Sequence, residues 1–167
     1  MPKEDGVGYG ELTELKMQHL SSIFAMHLAV TQAVLNRHSY YVQKYRYVDV
    51  TSGKGHTPDG LMGSPLVFLG QSESDTFQVP YRADFIEKEK CNFDELKAAV
   101  HQYANQHSLQ QKDWHFHHKD YRDIVPALFP TKEEYELGLV FVDHSGDLPN
   151  FDIRIFLRNT KRLTFLD

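Results

Sequence analysis

Segments typical of β-strands alternate with segments of helical periodicity along most of this 167-residue chain. Apolar positions from residue 11 to 37 recur at helical spacing without Gly or Pro, which predicts one long amphipathic helix at the N-terminus. Strand-to-helix alternation indicates βαβ units and a parallel sheet. We therefore expect an α/β fold: a Rossmann-like, open, mostly parallel sheet of about five strands with flanking helices. The predicted strands span residues 45–50, 77–87, 114–118, 137–142 and 162–166.

Local signals place the helices between these strands. Ser64 is the expected N-cap of the first, because Pro65 follows at the first helical position. Asn92 is the expected N-cap of the second, and Glu95 completes a capping box. The third should end before Pro130. The predicted helices after the N-terminal one span residues 64–71, 93–107, 121–129 and 151–158.

Composition excludes several classes of protein. Cys91 is the single cysteine, so the chain has no internal disulfide and no cysteine-based zinc finger. No apolar run is long enough to span a membrane, and residues 1–10 do not resemble a signal peptide. These features predict a cytoplasmic protein without a membrane partner. A net charge of −5 argues against nucleic-acid binding driven by the charge of the whole chain, although binding through a local basic patch remains an alternative. We expect a single domain over residues 1–167, with its helix at 11–37 and its core at 45–167.

Acidic residues lie at or just after the ends of four successive predicted strands. Ligands of open α/β sheets bind beyond the carboxyl ends of the strands, so these side chains should meet at one edge. Gly53 and Gly55 follow the first strand, where they would let a ligand approach the backbone. A ring of carboxylates disfavours a phosphate ligand and suits one with hydroxyls, an amine and positive charge. S-adenosylmethionine has these groups. The acidic residues are Asp49, Glu87, Asp120 and Asp143.

Each of these residues also has a simpler interpretation. Gly-x-Gly alone is most often ordinary turn chemistry, and Glu87 alone is most often a solvated strand end. Asp120 and Asp143 are also candidate helix N-caps. His115, His117 and His118 lack a Glu or Cys that would complete a zinc pattern, so we expect a polar strand there and no metal site.

Three further motifs carry a resemblance to a known family. Tyr47-Val48-Asp49, the glycine loop that follows, and Gly63-Ser64-Pro65-Leu66 resemble the three-Cys-motif partner proteins. These are class I methyltransferase-like proteins of bacteria and phages. The resemblance extends over nearly the whole chain in the family's order, and Gly-Ser-Pro is its most specific part.

The resemblance implies a binding site for S-adenosylmethionine. Asp49, Gly53 and Gly55 would hold the amino-acid part of the cofactor, and Glu87 would bind the ribose hydroxyls. Asp120 would lie near the adenine amine. Asp143 would lie near the transferable methyl group and the incoming nucleophile.

Two departures from the family pattern bear on catalysis. The family's Asp-Pro-x-Gly is replaced by Asp143-His144-Ser145-Gly146, and the Asn-Pro-Pro-Tyr type of motif of amino-group methyltransferases is missing. The sequence given also stops just after the fifth predicted strand, whereas complete class I methyltransferases add two more. We therefore expect a truncated class I methyltransferase-like fold, whose fifth strand at the sheet edge would promote homo-oligomers.

Three functions follow from these features. The first is S-adenosylmethionine-dependent methyl transfer to an unidentified acceptor, nucleic acid or protein, with Asp143 and His144 as catalytic residues. An ordinary loop histidine is the more frequent interpretation of His144. The second is a catalytically inactive binding module that acts through a protein partner or an oligomer, for instance in phage–host conflict. A nicotinamide dehydrogenase fits less well, because Pro58 stands where the third glycine of Gly-x-Gly-x-x-Gly is needed.

Overall fold

A computed structural model gives the architecture of the chain. It describes residues 13–38, 44–57, 59–74, 76–110, 113–128, 137–143 and 163–166. Nine elements follow one another within these ranges. They are α1 (Thr13–His38), β1 (Tyr45–Asp49), α2 (Ser64–Ser72), β2 (Tyr81–Glu87), α3 (Lys90–Gln106), β3 (Trp114–His118), α4 (Tyr121–Leu128), β4 (Leu137–Phe141) and β5 (Leu163–Leu166).

The five strands form one parallel sheet in the order β3-β2-β1-β4-β5. β1 is the central strand, and the strand order reverses between β1 and β4. This reversal is the topological switch point at which ligands of open α/β sheets bind. The predicted Rossmann-like α/β fold with a long N-terminal helix is therefore confirmed.

Alternating side chains of the strands pack against helices on both faces of the sheet. On the first face, α1 and α2 cover an aromatic core in which the rings of Tyr47 and Phe68 stack 4.2 Å apart. The ring of Phe24 meets Tyr47 edge-on at 5.1 Å. On the second face, Val125 of α4 packs in a smaller aliphatic core that includes Val48 of β1. Burial on both faces explains why β1 and β4 are apolar along most of their length.

Two predicted helix caps are wrong. α2 begins at Ser64 with Gly63 as its N-cap residue. Ser64 is itself the first helical residue, and its hydroxyl donates a hydrogen bond to the buried carboxylate of Asp49. α3 begins at Lys90 with Glu89 as its N-cap residue, so Asn92 lies inside the first turn. The earlier start follows from the end of β2, where the Glu87 carboxylate accepts the Glu89 N–H.

The second strand is also shorter than predicted. β2 begins at Tyr81, four residues later than the predicted start at residue 77. Pro80 precedes it and has no N–H to donate, while its carbonyl accepts the Tyr45 N–H at the start of β1. The bounds of the other strands agree with the prediction to within one residue. Pro130 and the predicted helix at 151–158 lie outside the described residues.

None of the helices in the described ranges combines the length and the apolar character that crossing a membrane requires.

Candidate functional site

The segment that follows β1 is hydrogen-bonded to both neighbouring strands. On one side, the Thr51 hydroxyl accepts the Asp143 N–H just beyond β4. On the other side, the Ser52 N–H donates to the Ile86 carbonyl of β2. The backbone after the central strand is therefore fixed at the switch point, between the carboxyl ends of β2 and β4.

Gly53 and Glu87 are in direct contact at this edge. The Gly53 N–H donates to Glu87 Oε2 at 3.0 Å, and the Glu89 N–H donates to Glu87 Oε1 at 2.8 Å. Glu87 is only 8% exposed, so its carboxylate is held in one orientation. Gly53 has a φ of +58°, a conformation that glycine adopts without strain. The acid at the end of β2 and the glycine loop after β1 thus form one structural unit.

Gly55 lies at the base of the same loop, where the chain folds back on itself. It has a φ of +81°, and a Cβ there would lie 3.3 Å from the side chains of Ala99 and Leu96 on α3. Its carbonyl accepts the Gly63 N–H at 2.9 Å. A Cβ at Gly63 would approach the Gly55 carbonyl group to 3.0 Å. Glycine at these positions therefore lets the loop close at its base and pack against α3.

Asp49 lies beneath the loop rather than on its surface. Its side chain is fully buried and accepts hydrogen bonds from the Tyr47 hydroxyl at 2.9 Å, the Ser64 hydroxyl at 2.6 Å and the Thr51 N–H at 3.2 Å. Burial raises the pKa of Asp49 to about 6; these hydrogen bonds act in the opposite direction, and the charge of nearby Asp143 adds to the rise. Asp49 thereby ties the end of β1 to the start of α2.

Asp120 is engaged by the first turn of α4. Its carboxylate accepts the Arg122 N–H at 2.9 Å and both ends of the Arg122 guanidinium, at 2.9 and 2.6 Å. These hydrogen bonds hold the pKa of Asp120 at about 2, against the effect of its partial burial. This is the contact pattern of a helix N-cap, the simpler of the two interpretations of this residue.

Asp143 follows β4 and forms an ion pair with Lys16 of α1. The pair joins the first turns of α1 to the carboxyl edge of the sheet. Both side chains stay partly exposed. His144, its predicted catalytic companion, lies outside the described residues.

The structure therefore brings together five of the predicted site residues at the ends of the three central strands. These are Asp49, Gly53, Gly55, Glu87 and Asp143. Sequence reasoning missed three partners that fix them: Thr51, Ser64 and Lys16. The Gly-Ser-Pro motif singles out Ser64, but a serine before a proline predicts a helix cap rather than a partner of Asp49.

Two histidines of β3 bind carboxylates rather than one another. His117 Nε2 lies 2.9 Å from Asp84 Oδ1, and His115 Nε2 lies 2.9 Å from Asp113 Oδ1. Among the residues whose positions are described, no three His, Cys, Asp or Glu side chains are arranged to hold a metal ion.

A groove of about 540 Å³ lies beside the site, between α1, α2 and α3. The apolar side chains of Met17, Leu61 and Met62 contribute to its lining, together with the ring of Tyr103. Leu61 and Met62 belong to the hairpin of the glycine loop, which a bridge between His56 and Met62 closes. The groove thus shares the glycine loop with the site.

No protein-family model matches the sequence, and no curated protein matches it. Solved structures similar to this chain include a SAM-dependent methyltransferase from Agrobacterium tumefaciens (TM-score 0.45, 10% identity over 81% of this chain). A protein from Legionella pneumophila has a TM-score of 0.44 and 15% identity over 75% of this chain. MtNAS, solved in complex with MTA and tNA, has a TM-score of 0.46 and 12% identity over 93% of this chain. This chain spans 33%, 57% and 54% of their respective lengths.

Proposed function

We propose that this chain binds S-adenosylmethionine at the carboxyl edge of β1 and β2 and acts as a methyltransferase-like protein. The observation that carries the proposal is the contact between the Gly53 N–H and the buried Glu87 carboxylate. It joins a glycine loop and an acidic strand end at the switch point of a parallel sheet, which is where such sheets bind nucleosides. The resemblance to the three-Cys-motif partner proteins supports the same assignment.

The residues at this edge fit the chemistry of the cofactor. Each Glu87 oxygen accepts one backbone N–H, and a carboxylate oxygen can accept a second hydrogen bond, so Glu87 retains capacity for the two ribose hydroxyls. Gly53 would present backbone without a side chain to the amino-acid part of the ligand, and the buried Gly55 would hold the base of that loop. The carboxylates of Asp49 and Asp143 favour the positive charge of an ammonium and a sulfonium. Asp120, at the end of β3, is the proposed neighbour of the adenine amine.

S-adenosylmethionine supplies an electrophilic methyl group on its sulfonium. The protein's contribution would be to hold the acceptor in line with that methyl group and to exclude water. Asp143 is the residue proposed to orient or deprotonate the acceptor, together with His144. For this role the Asp143 carboxylate must exchange Lys16 for the acceptor, which its partial exposure permits.

Titration calorimetry with S-adenosylmethionine and its demethylated product tests the cofactor. Glu87→Gln should weaken binding by ~10–100-fold, since hydrogen bonds to a charged group contribute ~1.5–3 kcal/mol each. Glu89→Gln is the matched control, because Glu89 is exposed and its side chain faces Lys88. Melting temperatures of both variants separate loss of binding from loss of folding. Failure of the wild-type protein to bind either ligand would contradict the proposal.

A second measurement separates catalysis from binding alone. Radiolabelled S-adenosylmethionine is incubated with the protein and with bulk DNA, RNA and protein in turn. Label transferred to one pool identifies the acceptor class, and Asp143→Asn should lower the transfer far more than it weakens cofactor binding. Binding without transfer to any pool would favour the binding module over the methyltransferase.

A further inference from the structure

The groove between α1, α2 and α3 has the size of a ligand site but takes no part in the proposed binding of S-adenosylmethionine. Its volume is about 540 Å³. Sites for small molecules usually measure ~300–1,000 Å³. The described residues that line the groove do not include Gly53, Glu87 or Asp143. The groove is therefore a separate cavity, and its lining has to be explained by its own chemistry.

The walls of the groove present apolar and aromatic side chains to solvent. Leu61 and Met62, in the hairpin of the glycine loop, are 41% and 45% exposed. Met17 of α1 and Val67 of α2 continue this surface, and the ring of Tyr103 forms the wall on the α3 side. Methionine sulfur atoms and a tyrosine ring both make favourable contacts with aromatic rings. An occupant with an aromatic body would therefore bury this surface best.

Gly70 gives the Tyr103 ring its place in the wall. A Cβ at Gly70 would lie 2.8 Å from the Tyr103 hydroxyl oxygen, so a larger residue on this turn of α2 would force the ring to shift. Glycine here lets a helix and an aromatic side chain approach closely. The α3 side of the groove is thus shaped by α2 as well as by Tyr103 itself.

The polar side chains of the groove offer mainly hydrogen-bond acceptors. Gln71 donates an N–H to the Ser21 hydroxyl at 2.9 Å, and Gln18 donates one to the Glu14 carboxylate at 3.4 Å. Each amide thereby keeps its carbonyl oxygen for an occupant. Among the described residues that line the groove, Glu14 is the one charged side chain, and none is Lys, Arg or His. Acceptors beside a negative charge select a ligand with N–H donors and a positive charge.

We propose that the groove binds a small aromatic amine, with its ammonium group beside Glu14 and its ring among Met17, Met62 and Tyr103. An aromatic acid of the same size would bring a second negative charge to Glu14, and an aromatic alcohol would lack the charge that Glu14 attracts. The proposal is independent of S-adenosylmethionine binding and of methyl transfer.

Three probes of similar size test the charge preference: phenethylamine, phenethyl alcohol and phenylacetate. Each is titrated into protein with isotope-labelled methionine methyl groups and followed by NMR. Phenethylamine should shift the signals of Met17 and Met62, whereas Met26 lies outside the groove, is 59% exposed and should not respond. The alcohol should bind about fivefold more weakly than the amine, as for a partly solvated charge pair, and the acid should cause no shift. Equal affinity for amine and alcohol, or no response to the amine, would overturn the proposal.

Glu14→Gln tests the residue that selects the charge. It should weaken phenethylamine binding about fivefold and leave that of the alcohol unchanged. Glu89→Gln is the matched control, since it removes one negative charge at the start of α3, outside the groove, and should change neither affinity. Both carboxylates are exposed, so both variants should keep the melting temperature of the wild type. Equal weakening by the two variants would trace the preference to the net charge of the chain and would contradict the site.

The same NMR signals also test whether another molecule of the protein covers the groove. The Met17 and Met62 signals should be independent of protein concentration when no probe is present. If they shifted as the concentration rose, a second copy would occupy the groove, and the proposal would be wrong.

Discussion

Asp49 and Asp84 lie on neighbouring strands, and both side chains are completely buried, yet their surroundings are opposite. Asp49, on the face covered by α1 and α2, is bound by two hydroxyl groups and one N–H, all uncharged. Asp84, on the other face, is bound by Arg82 at 3.0 Å, Arg46 at 3.3 Å and His117 at 2.9 Å. The two carboxylates are equally buried, but Asp49 has neutral partners whereas Asp84 has two arginines beside it.

The two pKa values differ accordingly. Burial raises the pKa of Asp49 to about 6, and its neutral donors offset this only in part. Burial also opposes the ionisation of Asp84, but hydrogen bonds from His117 and Arg82 and the charges of both arginines outweigh it, so its pKa falls to about 2. In this sheet, the charge of the neighbouring side chains therefore decides whether the pKa of a buried carboxylate rises or falls. Asp84 belongs to the scaffold, and Asp49 lies beneath the candidate site.

Removing the Asp84 carboxylate should have the largest effect on stability. Asp84→Asn removes the negative charge that faces the guanidinium of Arg46, which is only 5% exposed. Breaking a buried ion pair in this way costs about 3–5 kcal/mol. Urea denaturation measures the loss of unfolding free energy. Asp113→Asn is the control: it breaks the exposed pair with Lys44 and should cost less than about 1 kcal/mol. If Asp84→Asn cost as little unfolding free energy as the control, the buried ion pairs of Asp84 would contribute no more than an exposed pair, which would contradict the prediction.

The raised pKa of Asp49 predicts a pH dependence of the opposite sign to that of Asp84. With a folded pKa of about 6 and an unfolded pKa of about 3.9, folding takes up a proton between these values. The contribution of Asp49 to stability should therefore fall as pH rises from about 4 to 6, by at most about 3 kcal/mol. The contribution of Asp84 is instead lost as pH falls from about 4 towards 2.

Unfolding free energies measured over this pH range for the wild type and Asp49→Asn isolate the effect. The difference between the two proteins should change between pH 4 and 6 and be constant below and above that window. A difference independent of pH would show that Asp49 ionises at its ordinary pKa despite its burial.

The sequence predicted the strand ends but not this contrast. The alternation of strand and helix patterns predicted the bounds of β1, β3 and β4 to within one residue. The acidic residues at the strand ends predicted that Glu87 and Gly53 lie at the same edge of the sheet, where the structure shows them in contact. These features are local in sequence. The partners of Asp84 are not local: Arg46 precedes it by 38 residues and His117 follows it by 33. Which side chains lie beside one another across strands depends on sheet order and register, and a single sequence does not specify those.

Sequence reasoning failed at Ser64 for a related reason. A serine before a proline at a helix start is the usual N-cap pattern. Here Gly63 is the N-cap residue, Ser64 lies inside the helix, and the Ser64 hydroxyl donates to the Asp49 carboxylate at 2.6 Å. A buried carboxylate needs donors from the protein, because water does not reach it, and Asp49 is distant from Ser64 in sequence.

The ion pair between Lys16 and Asp143 should give the smallest effect, and it extends the comparison to an exposed carboxylate. Both side chains are partly solvated, so Lys16→Gln should change the unfolding free energy by less than about 1 kcal/mol. The change should shrink further in 1 M salt, which screens exposed charges. Lys90→Gln, which breaks the exposed pair with Asp94 within α3, is the matched control. If Lys16→Gln cost several times more than Lys90→Gln, Asp143 would belong with Asp84, as a carboxylate that holds the fold together. A cost equal to that of the control would leave Asp143 available for the exchange of partners that its proposed role in acceptor binding requires.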